Sequence, residues 1–303
     1  MSDKGSVIVN FTIGFGNNIF QYCYARILAE KLGFNLLHGA IPELGIKSQV
    51  VEVDKSLDTH IVSDNNARLY LDSKNIEKCN LYVQGYFEDH TFYTRYADKI
   101  RSWFPVVPIT NKKDLILHLR LQNRLVQQSH LRNHVLVDTY VDAISKFDYE
   151  RLHIVTDAEK WDLYGINDIE KIRYQISIGP NPASSSPWVS VKDSLFYVNQ
   201  LVEGLNKLDP IVHLNGAEMI EGSGGLRGDF MGDFNLIRSF DKVMFVNSTF
   251  SWWAAFLSGA SHVSAFKPWK PNKGVNSKNL GYTNLPGWKP WGSVYDLYWG
   301  KSR

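Results

Sequence analysis

Short apolar runs alternate along the chain with longer segments of helical period. In the first half, "VIVNFT" (7–12), "QVVEV" (49–53), "NLYVQGYF" (80–87) and the run at 114–121 read as strands. Between the first two, a helix is predicted from about Asn17 to Leu32. Ile19, Cys23 and Ile27 line one side of it with Phe20, Tyr24 and Leu28 beside them, Asn17 is a plausible cap, and Gly33 is the stop. Residues 89–104 and 137–147 are predicted helical, with Pro105 and Pro108 interrupting the pattern before the strand at 114–121. The second half predicts strands at 151–157, 210–216, 242–247 and 261–266, and helices at 158–163, 193–208, 233–240 and 251–258. Such alternation predicts an α/β fold, parallel sheets covered by helices. Two segments stand apart: "GPNPASSSPW" (179–188) and the glycine-rich "EGSGGLRGDFMG" (221–232), whose composition suits a mobile flap.

A length of 303 residues suits two domains. Two doubly wound halves place a ligand beside the carboxyl ends of their strands. The 33 basic and 31 acidic residues nearly cancel, so charge gives no ground for nucleic acid or membrane binding. Two cysteines, Cys23 and Cys79, make neither a disulfide framework nor a cysteine-rich zinc site, which points to a reducing compartment. No signal peptide or membrane span precedes Val7, so the expected protein is soluble and cytoplasmic.

Within "DLILHLRLQNRL" (114–125), alternation puts Ile116, His118 and Arg120 on one face and Leu115, Leu117, Leu119 and Leu121 on the other. A charged side chain near a buried strand needs a partner. Either the two polar residues satisfy each other locally, or an anion meets them at the strand's carboxyl end. In "FVNSTFSWWAAFLSG" (245–259) a strand ends at Asn247, Ser248, Thr249 and Ser251 lie in the turn, and a helix begins. Free N–H groups and hydroxyls there suit a phosphate. The same segment also reads as an ordinary N-cap with Trp252 and Trp253 in the core. Gly14 and Gly16 allow close approach of strand and helix, or mark a tight turn only. Ile19 replaces the third glycine of G-x-G-x-x-G, and Leu36 and Leu37 stand near the place of a ribose-binding acid, which argues against a nicotinamide dinucleotide. Asp157 and Asp233 read as caps or ligand contacts. His130 and His134 lack a third ligand, the glycine loop lacks G-K-[ST], and no Asp-x-Asp occurs. No metal or cofactor is expected, and Arg120 is the cation to neutralise a bound phosphate.

The chain resembles the alpha-1,2-fucosyltransferases of glycosyltransferase family eleven. "GFGNNIFQYCYARILAEKLG" is similar to the family's opening "GGLGNQMFQYAFARALAEKLG", and residues 85–104 to its "GYFQ…YF…IR…F". "ILHLRL" resembles the H-x-R strand, "IVTDAEKW" the "SDD..W" strand end, and "GDFNLIRSFDKVMFVNSTFSWWAAFLSG" is similar to "DL.LMS.C…SNSSFSWWAAWL". The closing "KPWKP…GW" looks like the family's tryptophan-rich end.

The resemblance implies a GT-B-like fold of two Rossmann-type lobes with mostly parallel sheets and a donor cleft between them. These would be an acceptor lobe at 1–148 and a GDP-sugar lobe at 149–303, with a C-terminal tail packing back on the first. It implies inverting, metal-independent transfer of L-fucose from GDP-fucose to a glycan hydroxyl, the 2-OH of a galactose. A different GDP-sugar, or a weakly active nucleotide- or glycan-binding relative, is the alternative. By the same resemblance Arg120 grips the β-phosphate, with His118 beside it. Asn247, Ser248, Thr249, Phe250 and Ser251 hold the diphosphate, Asp233 meets the guanine and Asp157 lies near the nucleoside. Gly14, Gly16, Asn17 and Asn18 face sugar and acceptor. One departure stands out: the family writes H-x-R-x-G-D, and here the strand runs into Gln122-Asn123. Asn123 hydrogen-bonds in a catalytic position but is no base near neutral pH, so Glu88, Asp89 and His90 are substitutes to test.

Overall fold

The computed structural model describes residues 5–12, 14–128, 134–178, 187–214, 218–219, 226–227, 230–246, 248–266 and 287–292. The chain forms two α/β units, each around its own parallel sheet; the first uses the chain up to Val106 and the second begins at Val107.

The first unit contains β1 (Ser6–Val9), α1 (Phe15–Leu32), β2 (Asn35–His38), β3 (Thr59–Val62), α2 (Ala67–Asp72), β4 (Asn80–Val83), α3 (Thr91–Thr94) and α4 (Ala97–Arg101). Its strands run in the order β2-β1-β4-β3, every pair parallel. The side of α1 that the apolar spacing predicts is buried, including Ile19, Phe20, Cys23, Tyr24, Ile27 and Leu28. The helix begins two residues before Asn17, with Gly14 at the N-cap in a φ of 108° that glycine tolerates and other residues rarely do. Gly33 ends it in the left-handed conformation. Residues 49–53 form no strand: Gln49 makes a single bridge to His38, and Val50 and Val51 are exposed. Their apolar character misled because no second layer covers them. Residues 89–104 break into α3 and α4 instead of one helix.

The second unit contains β5 (Asn111–Leu119), α5 (Gln122–Val126), α6 (Val137–Ile144), β6 (Leu152–Thr156), α7 (Ile166–Ser177), α8 (Val191–Asn206) and β7 (Ile211–Leu214). A short antiparallel ribbon follows, β8 (Glu218–Met219) with β9 (Leu226–Arg227), then α9 (Phe230–Arg238), β10 (Phe240–Phe245), α10 (Thr249–Ser258), β11 (His262–Phe266) and β12 (Lys289–Trp291). The main sheet runs β12-β11-β10-β5-β6-β7, all parallel. Leu115, Leu117, Leu119 and Leu121 join Tyr140, Val198 and Leu201 in one core cluster, so the leucines share a face as the alternation predicts. Each such buried leucine contributes about 1.5–3 kcal/mol through removal from water.

From β5 the chain winds outward through β6 to β7, then crosses to β10 on the other side of β5 and continues to β11 and β12. The winding direction reverses between β5 and β10. Open α/β sheets form their ligand crevice at such a reversal, outside the carboxyl ends of the strands.

The unit boundary differs from the one expected at 148. β5, α5 and α6 belong to the second unit because β5 hydrogen-bonds to β10 and β6. An apolar strand pattern does not say which sheet the strand will join. Residues 158–163 form no helix; α7 starts at Ile166 instead, where the Asp168 carboxylate accepts the Gly165 N–H at 2.5 Å. Residues 179–186, most of the glycine-rich loop (220–225 and 228–229) and the chain beyond 292 lie outside the described residues, and with them the flap and the packing of the tail.

Candidate active site

Strand ends and helix starts meet at the β5–β10 reversal. β5 ends at Leu119 and Arg120 follows; on one flank β6 ends at Thr156, followed by Asp157; on the other β10 leads into α10.

His118 and Arg120 have different surroundings. His118 is buried, its Nδ1 2.5 Å from Ser251 Oγ and its ring 5.6 Å from that of Phe250. Burial first, and the neighbouring Arg120 charge second, push its pKa down to about 3, so the ring is neutral at physiological pH. A ring in that state braces α10 and neither gives nor takes a proton in this range. Arg120 keeps 38% of its side chain exposed. Its Nε lies 3.8 Å from Asp157 Oδ2, while Asp157 Oδ1 accepts the Leu121 N–H at 2.6 Å. Asp157 thus holds the strand end that presents Arg120. Burial raises the Asp157 carboxyl, against the opposing pull of Arg120, the Leu121 N–H and Arg124.

The first turn of α10 is built as an N-terminus beside these groups. Ser248 is the N-cap, its Oγ accepting the Ser251 N–H at 3.5 Å, and Trp252 N–H bonds the Ser248 carbonyl at 3.0 Å. The first N–H groups of a helix have no carbonyl one turn back to meet them, and the positive end of the helix dipole adds to them. Thr249 and Phe250 are half-buried here, and Trp252 and Trp253 pack in the core, so this segment is at once a capped turn and a core anchor. Phe250 meets Phe234 of α9 at 5.1 Å and 66°, which links α10 to the helix that buries Asp233 in its first turn. Asn247 lies outside the described residues.

Asn123 is half-buried on α5, where its carbonyl accepts the Gln127 N–H at 3.3 Å. Arg124, on the same helix, is a second cation at this strand end and not among the residues expected there from sequence. A short helix after a strand with a charge in its middle was the only signal for it. A cavity of about 10 Å³, bordered by Arg120, Arg124, His134 and Tyr197, has room for one water.

His134 is a core residue: its ring stacks on Tyr197 at 4.3 Å and 11°, its Nε2 meets the Arg124 carbonyl, and burial holds its pKa down to about 4. His130 lies outside the described residues. Among the described residues no group of three or more His, Cys, Asp or Glu is placed to hold a metal, and no helix is long and apolar enough to cross a membrane.

Gly14, Gly16, Asn17 and Asn18 lie in the first unit, where β1 passes into α1 at that sheet's own reversal between β1 and β4. The Asn18 N–H bonds the Gly14 carbonyl at 3.0 Å. With its amide nitrogen turned inward, the Asn18 side chain donates to the Thr12 and Gly14 carbonyls at 2.7 and 3.3 Å. This turn is self-braced. Glu88, Asp89 and His90 also belong to the first unit. Asp89 accepts from Arg68 at 2.9 Å and from the Thr91 N–H and hydroxyl at 2.9 and 2.6 Å, which commits the carboxylate to the start of α3.

No family model matches the sequence, and no curated protein does. Among solved structures the chain is similar to an arginine-to-lysine mutant of Arabidopsis thaliana FUT1 in complex with GDP. The TM-score is 0.42 and the identity 10%, over 94% of this chain and 72% of that one.

Proposed function

We propose that the chain is an inverting glycosyltransferase that moves L-fucose from GDP-fucose to a glycan hydroxyl, the 2-OH of a galactose. The observation that carries this reading is the arrangement at the sheet reversal. Arg120 stands two residues beyond the histidine that hydrogen-bonds the first turn of α10, so an exposed guanidinium and a helix N-terminus share one strand end. An anionic leaving group such as a nucleoside diphosphate matches that pair. The sequence resemblance supplies the nucleotide and the sugar.

In the reaction the acceptor oxygen bonds to the sugar C1 as the bond from C1 to the phosphate oxygen breaks. The electron pair leaves with GDP, and the acceptor proton passes to a base. Arg120 and the α10 N–H groups stabilise the departing diphosphate, as oxyanion-hole donors stabilise negative charge elsewhere. Asp157 orients Arg120, His118 fixes α10 against β5, and Asp233 takes the guanine. Protein cations neutralise the phosphates, so the reaction is proposed to run without a divalent ion.

Asn123 favours a second reading, because an amide stands where the resembled family carries a carboxylate. That reading keeps GDP binding and loses turnover. Incubation with GDP-fucose and a lactose or N-acetyllactosamine panel, in the presence of EDTA, decides between them. GDP release with a fucosylated product is expected. Retained GDP binding with no transfer selects the second reading, and absence of GDP binding rejects both.

A further inference from the structure

We infer that the first unit carries a separate saccharide-binding groove, along the open edge of β2. The groove has a volume of about 600 Å³ and lies between α1, β2 and the segment after Gly45. Small-molecule sites have this size. β2 is an edge strand paired only to β1, with its outer side closed at one end by the His38–Gln49 bridge.

Two fixed polar groups line it. His38 is 6% exposed, and its Nδ1 lies 2.6 Å from the Gly39 carbonyl. A carbonyl only accepts, so Nδ1 carries the proton and Nε2 presents a lone pair. With Nδ1 committed to Gly39, Nε2 is the ring nitrogen left to accept from a ligand hydroxyl in the groove that His38 lines. Arg26 is the matching donor. Its Nη1 donates to the Tyr22 hydroxyl at 2.8 Å, its Nε to Glu30 at 2.9 Å, and its guanidinium stacks on Trp103 at 4.2 Å. Glu30 is held in turn by Lys99 at 2.5 Å. The guanidinium is locked on three sides, and among the described residues only its Nε and Nη1 hydrogen-bond an acceptor. Preorganised groups of this kind bind without the entropy cost of ordering flexible ones.

A fixed donor, a fixed acceptor, the exposed amide of Gln49 and the aromatic walls of Tyr22 and Trp103 match a sugar ring. Its hydroxyls both give and accept hydrogen bonds, and its C–H faces pack on aromatic surfaces. A free phosphate offers no C–H face to the aromatic walls, although Lys47 joins Arg26 along the lining. A peptide added as a strand fits less well: β2 has four residues and the bridge at His38 occupies one of them. None of the lining residues belongs to the Gly14–Asn18 turn or to the second unit.

The test is calorimetric titration of the full chain with lactose, N-acetyllactosamine and a uronic-acid disaccharide, with no nucleotide present. At least one saccharide is expected to bind, with Arg120→Ala binding as the wild type does. Arg26→Ala is expected to weaken binding by about tenfold or more, since hydrogen bonds from charged groups are the strong ones. Gln49→Ala, a change at an exposed loop residue, is expected to weaken it less while leaving thermal unfolding and GDP affinity unchanged. The inference is overturned if no saccharide binds. It is equally overturned if binding is indifferent to both Arg26→Ala and Gln49→Ala, if it is lost in Arg120→Ala, or if only extended peptides bind. Because nucleotide is absent, failure of the GDP-fucose reading leaves these outcomes unaffected.

Discussion

Ser251 Oγ lies 2.5 Å from His118 Nδ1, a hydrogen bond between residues 133 positions apart that joins strand β5 to the first turn of helix α10. Both partners are buried, so cutting either leaves the other without its partner. Ser251→Ala and His118→Asn are each expected to destabilise the fold by about 1–3 kcal/mol, and the double variant by less than the sum. Urea unfolding of the four proteins in the cycle measures the coupling. Strict additivity would show that the bond does not hold the two elements together.

Arg120→Ala is expected to lower the rate of GDP release by about 10²–10³-fold, the loss seen when one donor to a developing charge is removed. Steady-state kinetics with GDP-fucose and a galactoside acceptor report it. An unchanged kcat/KM would remove the strand end from the mechanism.

Asp157 has a folded-state carboxyl raised above the ordinary 3.8 by burial. A raised pKa means that its stabilising contribution is fully present below the unfolded value and is lost as pH rises through the folded one. Asp157→Asn keeps an oxygen for the Leu121 N–H and removes the titration. The stability of the wild type relative to Asp157→Asn is therefore expected to fall as pH rises above 4, measured as paired urea midpoints.

His118 and His134 titrate the other way. Burial moves them from 6.5 down to about 3 and about 4, and it also lowers His38 and His213. The unfolded chain takes up these protons first, so stability is present above pH 6.5 and is lost as pH falls toward the folded values. The slope from His118 and His134 alone is about 2 kcal/mol per pH unit between 6 and 4.5. His134→Gln is expected to reduce it by about one proton, a change in slope that stands apart from any shift in absolute stability.

Local pattern revealed the elements with strong period or strong caps. α1 and α10 were legible because their apolar stripes and flanking glycines agree, and β5 because its three alternate leucines, Leu115, Leu117 and Leu119, share a face. β2 and β3 are four-residue strands that give little period to detect, and α7 carries a polar exposed side that hides its helical spacing. Residues 49–53 show the reverse error, since apolarity without a covering layer does not make a strand. In the candidate site, Arg120, Asp157 and the Ser248–Ser251 turn stand out in the sequence because each ends a strand or starts a helix. The division of labour between His118 and Arg120 does not. It depends on which residue of α10 lies under β5, and that is set by pairing between distant strands.

The placement of β10 beside β5 also has a consequence for how the molecule comes into being. Ile116 faces Val243 and His118 faces Phe245 across that pair, so a central seam of the sheet joins segments more than a hundred residues apart. Loops of that length close slowly relative to local hairpins and helices. During synthesis β5 waits with one bare edge until β10 has emerged, and Arg120 has no helix N-terminus beside it until α10 follows. The proposed anion site is thus assembled late, and a chain halted before residue 240 would expose an apolar strand edge of the kind that seeks partners in other molecules.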